Sequence, residues 1–206
     1  ELMDSEAFGT LANDTYSGFI HDIVSSSKAL NETLGAILDV ADIEFSSMVL
    51  RCEPLEVATL FRGVVGPMSG RAEWAGVSLT HWAPPGLMMW GDGRRLRQML
   101  LNLISNAIRF NHKGGEVTLS ADPVGRDRVM MTVLDTGVGM TGDEVTVGLT
   151  PFAQVDGGLT RQHDGVGLGL PLAKMIVDLH GGVLGISSVP GQGTVVRITL
   201  AAYLPS

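Results

Sequence analysis

Through the first part of the chain the larger apolar side chains return at alternating intervals of four and three. The row runs Tyr16, Ile20, Ile23, Leu30, Leu34, Ile37 and Ala41, with Ser27 at its polar interruption. Such a row stays on one side of an α-helix and forms the seam of a coiled coil or four-helix bundle. Ahead of it, residues 8–15 are turn and capping types, with Asp14 or Thr15 as the N-cap, and residues 1–7 read as the end of an earlier helix. The predicted element over residues 1–50 is a helical hairpin that opens mid-pattern.

After a linker at 52–55 the period changes. Helix is predicted over 57–75, strands over 77–82 and 87–90, and a strongly amphipathic helix over 92–110 with Asp92 as its cap. Strands follow at 116–121 and 129–134, the second an apolar run that ends on Asp135. A glycine-rich stretch reaches Gly167 and enters a helix over 168–180, stopped by Gly181 and Gly182, which admit left-handed backbone. Strands at 183–188 and 194–201 are joined through Pro190-Gly191-Gln192-Gly193, a turn composition. This order suits a mixed sheet covered by helices on one face. Residues 51–206 therefore read as a two-layer α/β sandwich, and the chain as α+β.

With 206 residues and 45% hydrophobic content, the chain can build a sizeable core plus an appendage. No apolar run approaches the roughly 20 residues that span a bilayer, so the segment is expected to be soluble even where the full-length protein is anchored. A formal charge of −8 and 14 scattered basic residues argue against a nucleic-acid surface, which needs clustered lysine and arginine. The single Cys52 excludes an internal disulfide and a cysteine-rich metal site, and it fits a reducing cytoplasm.

Candidate chemistry sits in three separated segments. Asn102 and Asn106 are one turn apart on the 92–110 helix, so both amides leave the same face. An amide oxygen is a hard neutral ligand suited to Mg2+, which takes much of its shell from phosphates and water. Asp135 ends an apolar strand, where a carboxylate is costly without a specific partner, and Gly137 and Gly139 beyond it permit close backbone approach. Gly165, Gly167 and Gly169 open the last helix, whose N–H groups and positive end can face phosphates. The run Gly137-Val138-Gly139-Met140-Thr141-Gly142 also meets the spacing of a Rossmann fingerprint. Such a site begins near the first strand of its domain, however, and has no use for an upstream asparagine pair.

In this order and spacing, Asn102-Leu103-Ile104-Ser105-Asn106-Ala107, Asp135-Thr136-Gly137-Val138-Gly139-Met140 and Gly165-Val166-Gly167-Leu168-Gly169-Leu170 resemble the N, G1 and G2 boxes of the histidine-kinase ATPase family. Its Bergerat-type ATP pocket is shared with gyrase, heat-shock-ninety chaperones and MutL-like proteins. The resemblance implies that Asn106 ligates the magnesium bridging the ATP phosphates, with Asn102 in support. Arg109 stands in for a phosphate-contacting lysine, and Phe110 lies beside the nucleotide. Asp135 accepts from the adenine amino group, Met140 lines the adenine slot, and Thr194 matches a threonine near the base. Val166 replaces a frequent threonine. Pro151-Phe152-Ala153-Gln154-Val155-Asp156 resembles the F box, and 157–164 the mobile ATP lid, with Arg161 as a phosphate contact.

The function so implied is the ATP- and Mg2+-dependent core of a sensor histidine kinase. It passes the γ-phosphate to an acceptor for relay to a response-regulator aspartate and dimerises through the hairpin. None of His21, His81, His112, His163 and His180 sits in the expected acceptor motif, so the acceptor is expected upstream of Glu1. The alternative is a kinase-like signalling scaffold that binds and regulates another kinase. A gyrase-class ATPase needs a general-base carboxylate on the asparagine helix, where this chain has Asn102 and, one turn earlier, Gln98.

Overall fold

The computed structural model describes residues 49–153 and 167–204, and before them 19–20, 23–24, 27, 30 and 34–35. The chain divides into two compact units, Glu1–Phe45 and Ser46–Ser206. In the first unit the described residues are helical, and Phe19, Ile23, Leu30 and Leu34 present exposed side chains. Tyr16, Ile37, Ala41, the caps Asp14 and Thr15, His21 and residues 1–7 lie outside the described residues.

The second unit runs β1 (Glu53–Glu56), α1 (Val57–Ala75), β2 (Ser78–Trp82), β3 (Met88–Gly91), α2 (Gly93–Arg109), β4 (Glu116–Val124), β5 (Arg128–Asp135), α3 (Gly142–Gly148), α4 (Gly169–Leu179), β6 (Val183–Val189) and β7 (Gly193–Ala201). A five-stranded sheet is ordered β2-β4-β5-β7-β6. β2 and β4 run parallel and the other neighbours antiparallel, so the sheet is mixed, as expected.

Strand alternation sends Val117, Leu119 and Ala121 of β4, Val129, Met131 and Val133 of β5, and Val196, Ile198 and Leu200 of β7 to one buried face. The helices supply the facing stripes. α2 buries Leu96, Met99, Leu100, Leu103, Ile104, Ala107 and Ile108, a three- and four-residue recurrence that fills one side of the helix. α4 adds Leu172, Ala173, Ile176 and Val177, and α1 adds Phe61, Val64, Val65 and Met68. Each large side chain so removed from water contributes about 1.5–3 kcal/mol, and this shared core holds the layers together. The other face of the sheet carries Thr80, Thr118, Thr132 and Arg197, which can meet water. Among the described residues no helix is long and apolar enough to cross a membrane.

Asp92 caps α2 as its position predicts. Its Oδ1 accepts from Arg94 N and Arg95 N, both at 3.1 Å, and its Oδ2 accepts from Arg51 N at 3.0 Å. Burial pushes the carboxyl up, but these N–H donors outweigh it and hold it below the usual carboxylate value. A folded-state pKa below the unfolded one gives stability that is present above the unfolded pKa and is lost as pH falls through the folded one. Asp92→Ala is therefore expected to cost about 1–2 kcal/mol at neutral pH and less in acid. Urea denaturation at the two pH values checks this, and a pH-independent difference would exclude the carboxylate as the cause.

Two elements depart from the sequence-based expectation. The linker expected at 52–55 is largely strand: β1 pairs antiparallel with β3, Glu53 opposite Gly91 and Glu56 opposite Met88. The glycine-rich stretch contains α3, closed by a capping box in which Thr141 Oγ1 accepts from Glu144 N and Glu144 Oε2 accepts from Thr141 N. α3 buries no residue, so no apolar period marks it.

Candidate functional site

The buried face of the sheet ends in a polar row. Register sets Asp135 of β5 opposite Thr194 of β7, and Thr194 opposite Ser188 of β6. Strand parity places all three on the helix-covered side, with Val133, Val196 and Ile186. Asp135 Oδ1 accepts from Gly137 N at 2.9 Å and from Thr194 N at 3.2 Å. Its Oδ2 has no partner among the described residues, and since no fully buried polar side-chain atom there lacks one, this oxygen is open to an incoming donor. Burial raises the carboxyl above its ordinary pKa, and the two N–H donors only partly offset that shift.

The segment after Asp135 folds back against the end of α2. Val138 N donates to Phe110 O at 3.0 Å, and Gly191 N donates to Val138 O at 2.7 Å. A Cβ on Gly137 would lie 2.4 Å from Phe110 O; on Gly139, at φ +66°, it would lie 2.0 Å from Val189 O. Only glycine allows backbone to approach backbone this closely. Met140 N donates to Ser188 Oγ at 2.7 Å, tying this loop to β6. Thr136 Oγ1 accepts from Glu116 N at 2.9 Å and donates to Asn111 Oδ1 at 3.3 Å, which fastens the loop to β4.

Asn102 and Asn106 stand one turn apart at the margin of the buried stripe of α2, both half-buried. The second glycine segment comes to them. A Cβ on Gly169, the first residue of α4, would stand 2.9 Å from Asn106 Nδ2, and one on Gly167, at φ +70°, would lie 2.4 Å from Ala153 O. Leu168 is buried, so it has only its backbone to offer a ligand. The Arg109 guanidinium lies over the Phe110 ring, 5.3 Å from its centroid. Arg161, Gly165, Val166, His163 and the rest of the expected lid lie outside the described residues.

At its far end α4 is tied to the start of α2. His180 Nε2 accepts from Asp92 N at 3.0 Å. The opposite ring nitrogen, Nδ1, is 2.7 Å from Ile176 O, a carbonyl that only accepts, so Nδ1 carries the proton.

A cleft of about 510 Å³ opens at the Asp135 end, lined by Asp135, Ser188, Gly193 and, from α3, Gly142 and Val145. Asn102, Asn106, Met140, Gly169 and Thr194 are not in its lining, so the cleft meets the site at Asp135, Ser188 and Gly193. Among the described residues no group of three or more His, Cys, Asp or Glu side chains is placed to hold a metal. A cation at the asparagine end would rest on amide oxygens and on those of its ligand, a donor set that fits Mg2+ bound with phosphates. Ser188, Thr136 and Asn111 escape the sequence reading. For Ser188 a signal exists, since it shares strand parity with Leu184 and Ile186 and so belongs to the covered face.

Residues 91–204 match the family model described as histidine kinase-, DNA gyrase B-, and HSP90-like ATPase. The chain is 38% identical over 204 residues to the non-motile and phage-resistance protein of Caulobacter vibrioides, covering 97% of this chain and 24% of that protein. It is 34% identical over 207 residues to the cell-division control histidine kinase PdhS of Brucella anthropi, covering 96% of this chain and 20% of the relative. Among solved structures, full-length ShkA in complex with AMPPNP aligns with a TM-score of 0.80 at 28% identity, over 96% of this chain and 41% of that one. The chain thus spans a quarter or less of these two curated relatives. The family match takes in the asparagine helix, the Asp135 loop and the start of α4, and on that match the chain belongs to the histidine kinase-, DNA gyrase B- and HSP90-like ATPase family.

Proposed function

We propose that this chain is the dimerisation and ATP-binding core of a cytoplasmic sensor histidine kinase, with residues 1–50 as part of the dimerisation hairpin and 51–206 as the catalytic ATP-binding domain. It would deliver the γ-phosphate of ATP to an acceptor residue, for relay to a response-regulator aspartate. The observation that carries the reading is the convergence of three distant segments: Gly137 against Phe110, Gly169 against Asn106, and an Asp135 carboxylate with one oxygen left open. The names of PdhS as a histidine kinase and of ShkA as an AMPPNP complex support it.

In this reading Asp135 Oδ2 receives the adenine amino group, with Thr194, Met140 and Phe110 around the base. Backbone N–H groups of Gly165, Val166, Gly167, Leu168 and Gly169 meet the phosphates at the positive end of α4, with Arg109 and Arg161 adding charge. Asn106 and Asn102 would hold Mg2+, which when bound supplies charge neutralisation on the phosphates. No covalent nucleophile is needed within this domain, so its work is positioning and electrostatics. Exposed Phe19, Ile23, Leu30 and Leu34 on the first unit suit burial against a second copy, which makes a homodimer the expected assembly. A response regulator or another kinase is the expected partner.

Asn106→Ala is expected to weaken binding of a nonhydrolysable ATP analogue at least about tenfold with Mg2+ present and far less without it. Calorimetric titration with and without Mg2+, with a GTP analogue as control, measures this. Equal affinities for both proteins under both conditions would remove the asparagine helix from the site.

A further inference from the structure

The Ser188 hydroxyl makes every hydrogen bond a hydroxyl can make. It accepts from Met140 N at 2.7 Å, donates to Gly193 O at 3.0 Å, and lies 2.9 Å from Thr194 Oγ1. A hydroxyl has one proton and two lone pairs. The Gly193 carbonyl only accepts, so it takes the Ser188 proton; Met140 N–H occupies one lone pair. The third bond must then run from the Thr194 hydroxyl into the second lone pair of Ser188. Thr194 is 9% exposed, and its backbone N–H is already committed to Asp135 Oδ1 at 3.2 Å. All that Thr194 retains is oxygen lone pairs. Asp135, beside it, is an acceptor as well. Together the three side chains offer acceptors and no free proton.

We infer that Ser188 is a positioning residue for base selection: by holding the Thr194 proton it keeps the polar row beside Asp135 an acceptor, favouring a purine with an amino group at position 6 over one with an oxo group. The inference rests on the reading that the Asp135 end of the site receives the adenine of ATP. It assigns to Ser188 an action through Thr194, distinct from the direct contact assigned to Asp135. Without the Ser188 oxygen the Thr194 hydroxyl is released to rotate, and its proton becomes available to a 6-oxo oxygen. Discrimination then relaxes while Asp135 is untouched.

The test is calorimetric titration of the whole chain with ADP and with inosine diphosphate, which carries a 6-oxo group and an N1 proton in place of the 6-amino group. Neither ligand has a γ-phosphate to transfer. Wild type is expected to prefer ADP, and Ser188→Ala to reduce that preference roughly tenfold, the worth of one neutral hydrogen bond. Loss of packing alone would weaken both nucleotides together and leave the ratio unchanged. Ser188→Thr retains the hydroxyl and is expected to restore the ratio. Ser188→Cys keeps the volume but accepts weakly, and it is expected to lower the ratio even if the alanine variant fails to fold. A selective wild type whose ratio persists in the Ala and Cys variants overturns the inference alone. A wild type that binds both nucleotides equally overturns the pocket reading and the inference with it.

Discussion

Asp135→Asn is expected to lower ATP affinity by about ten- to a hundredfold while the fold persists. The asparagine oxygen still receives Gly137 N and Thr194 N, so the turn keeps its two hydrogen bonds. What changes is the open position: an NH2 donor replaces an accepting oxygen and meets the adenine amino group donor to donor. The pH dependence follows from the raised pKa of Asp135, caused first by burial. As pH falls, this carboxyl takes up its proton sooner than an exposed aspartate would, so wild-type ATP binding should weaken at the acid end while the asparagine variant lacks that component. Stability runs the other way. A folded-state pKa above the unfolded one gives a contribution fully present below the unfolded pKa and lost as pH rises through the folded one. At neutral pH the ionised side chain is thus a burden on the unliganded fold, and Asp135→Asn should be no less stable than wild type. Titration with ATP across pH, paired with thermal denaturation of both proteins, tests the argument. Full retention of adenine preference in the variant would end it.

The largest effect on stability is expected at Gly193, where alanine should cost about 3–5 kcal/mol. Two effects combine. The residue sits at φ +94°, in the left-handed region, and an added Cβ would lie 2.0 Å from Asp135 O and 2.8 Å from Thr136 Cα. Both obstacles are backbone, which cannot swing aside as a side-chain tip does. Relief would have to separate β5 from β7 at the register pair of Asp135 and Thr194, and nucleotide binding should fail with it. Gly191 provides the control. It lies at φ +76°, but its Cβ would meet nothing within 4 Å, so Gly191→Ala carries only the left-handed strain of about 1–2 kcal/mol. Chemical denaturation of the two variants separates them, and equal losses would show that the close approach is not the cause.

The contrast between these two glycines shows what the sequence reveals and what it withholds. Pro190-Gly191-Gln192-Gly193 reads as a turn from composition, but which glycine is irreplaceable depends on the Asp135 carbonyl, a long-range neighbour. Regular elements were legible where burial imposes a period, as along α2 from Leu96 to Ile108 and along β5. β1 was not, because four residues that include Pro54 carry too little pattern, and their partner β3 lies across an intervening helix. α3 was legible only through the pair Thr141 and Glu144, since a helix that buries nothing has no stripe. In the site, Asn106, Asp135 and Gly169 announce themselves by residue type and order. Ser188 does not: a serine in a strand resembles a solvent-facing position until its parity with Leu184 and Ile186 is followed.

The His180 bond to Asp92 N has a mechanical consequence. α2 and α4 pack together, joined at one end by this bond and meeting at the other where Gly169 reaches Asn106. From Asp92 to Asn106 is about 21 Å of helix, and from Gly169 to His180 about 17 Å. The two helices act as a pair of rulers clamped at a common zero. The gap between the asparagine amides and the first N–H groups of α4 is therefore set by residue count from a clamp roughly 17 Å away. The tolerance of the proposed phosphate end is inherited from an imidazole that no nucleotide would touch.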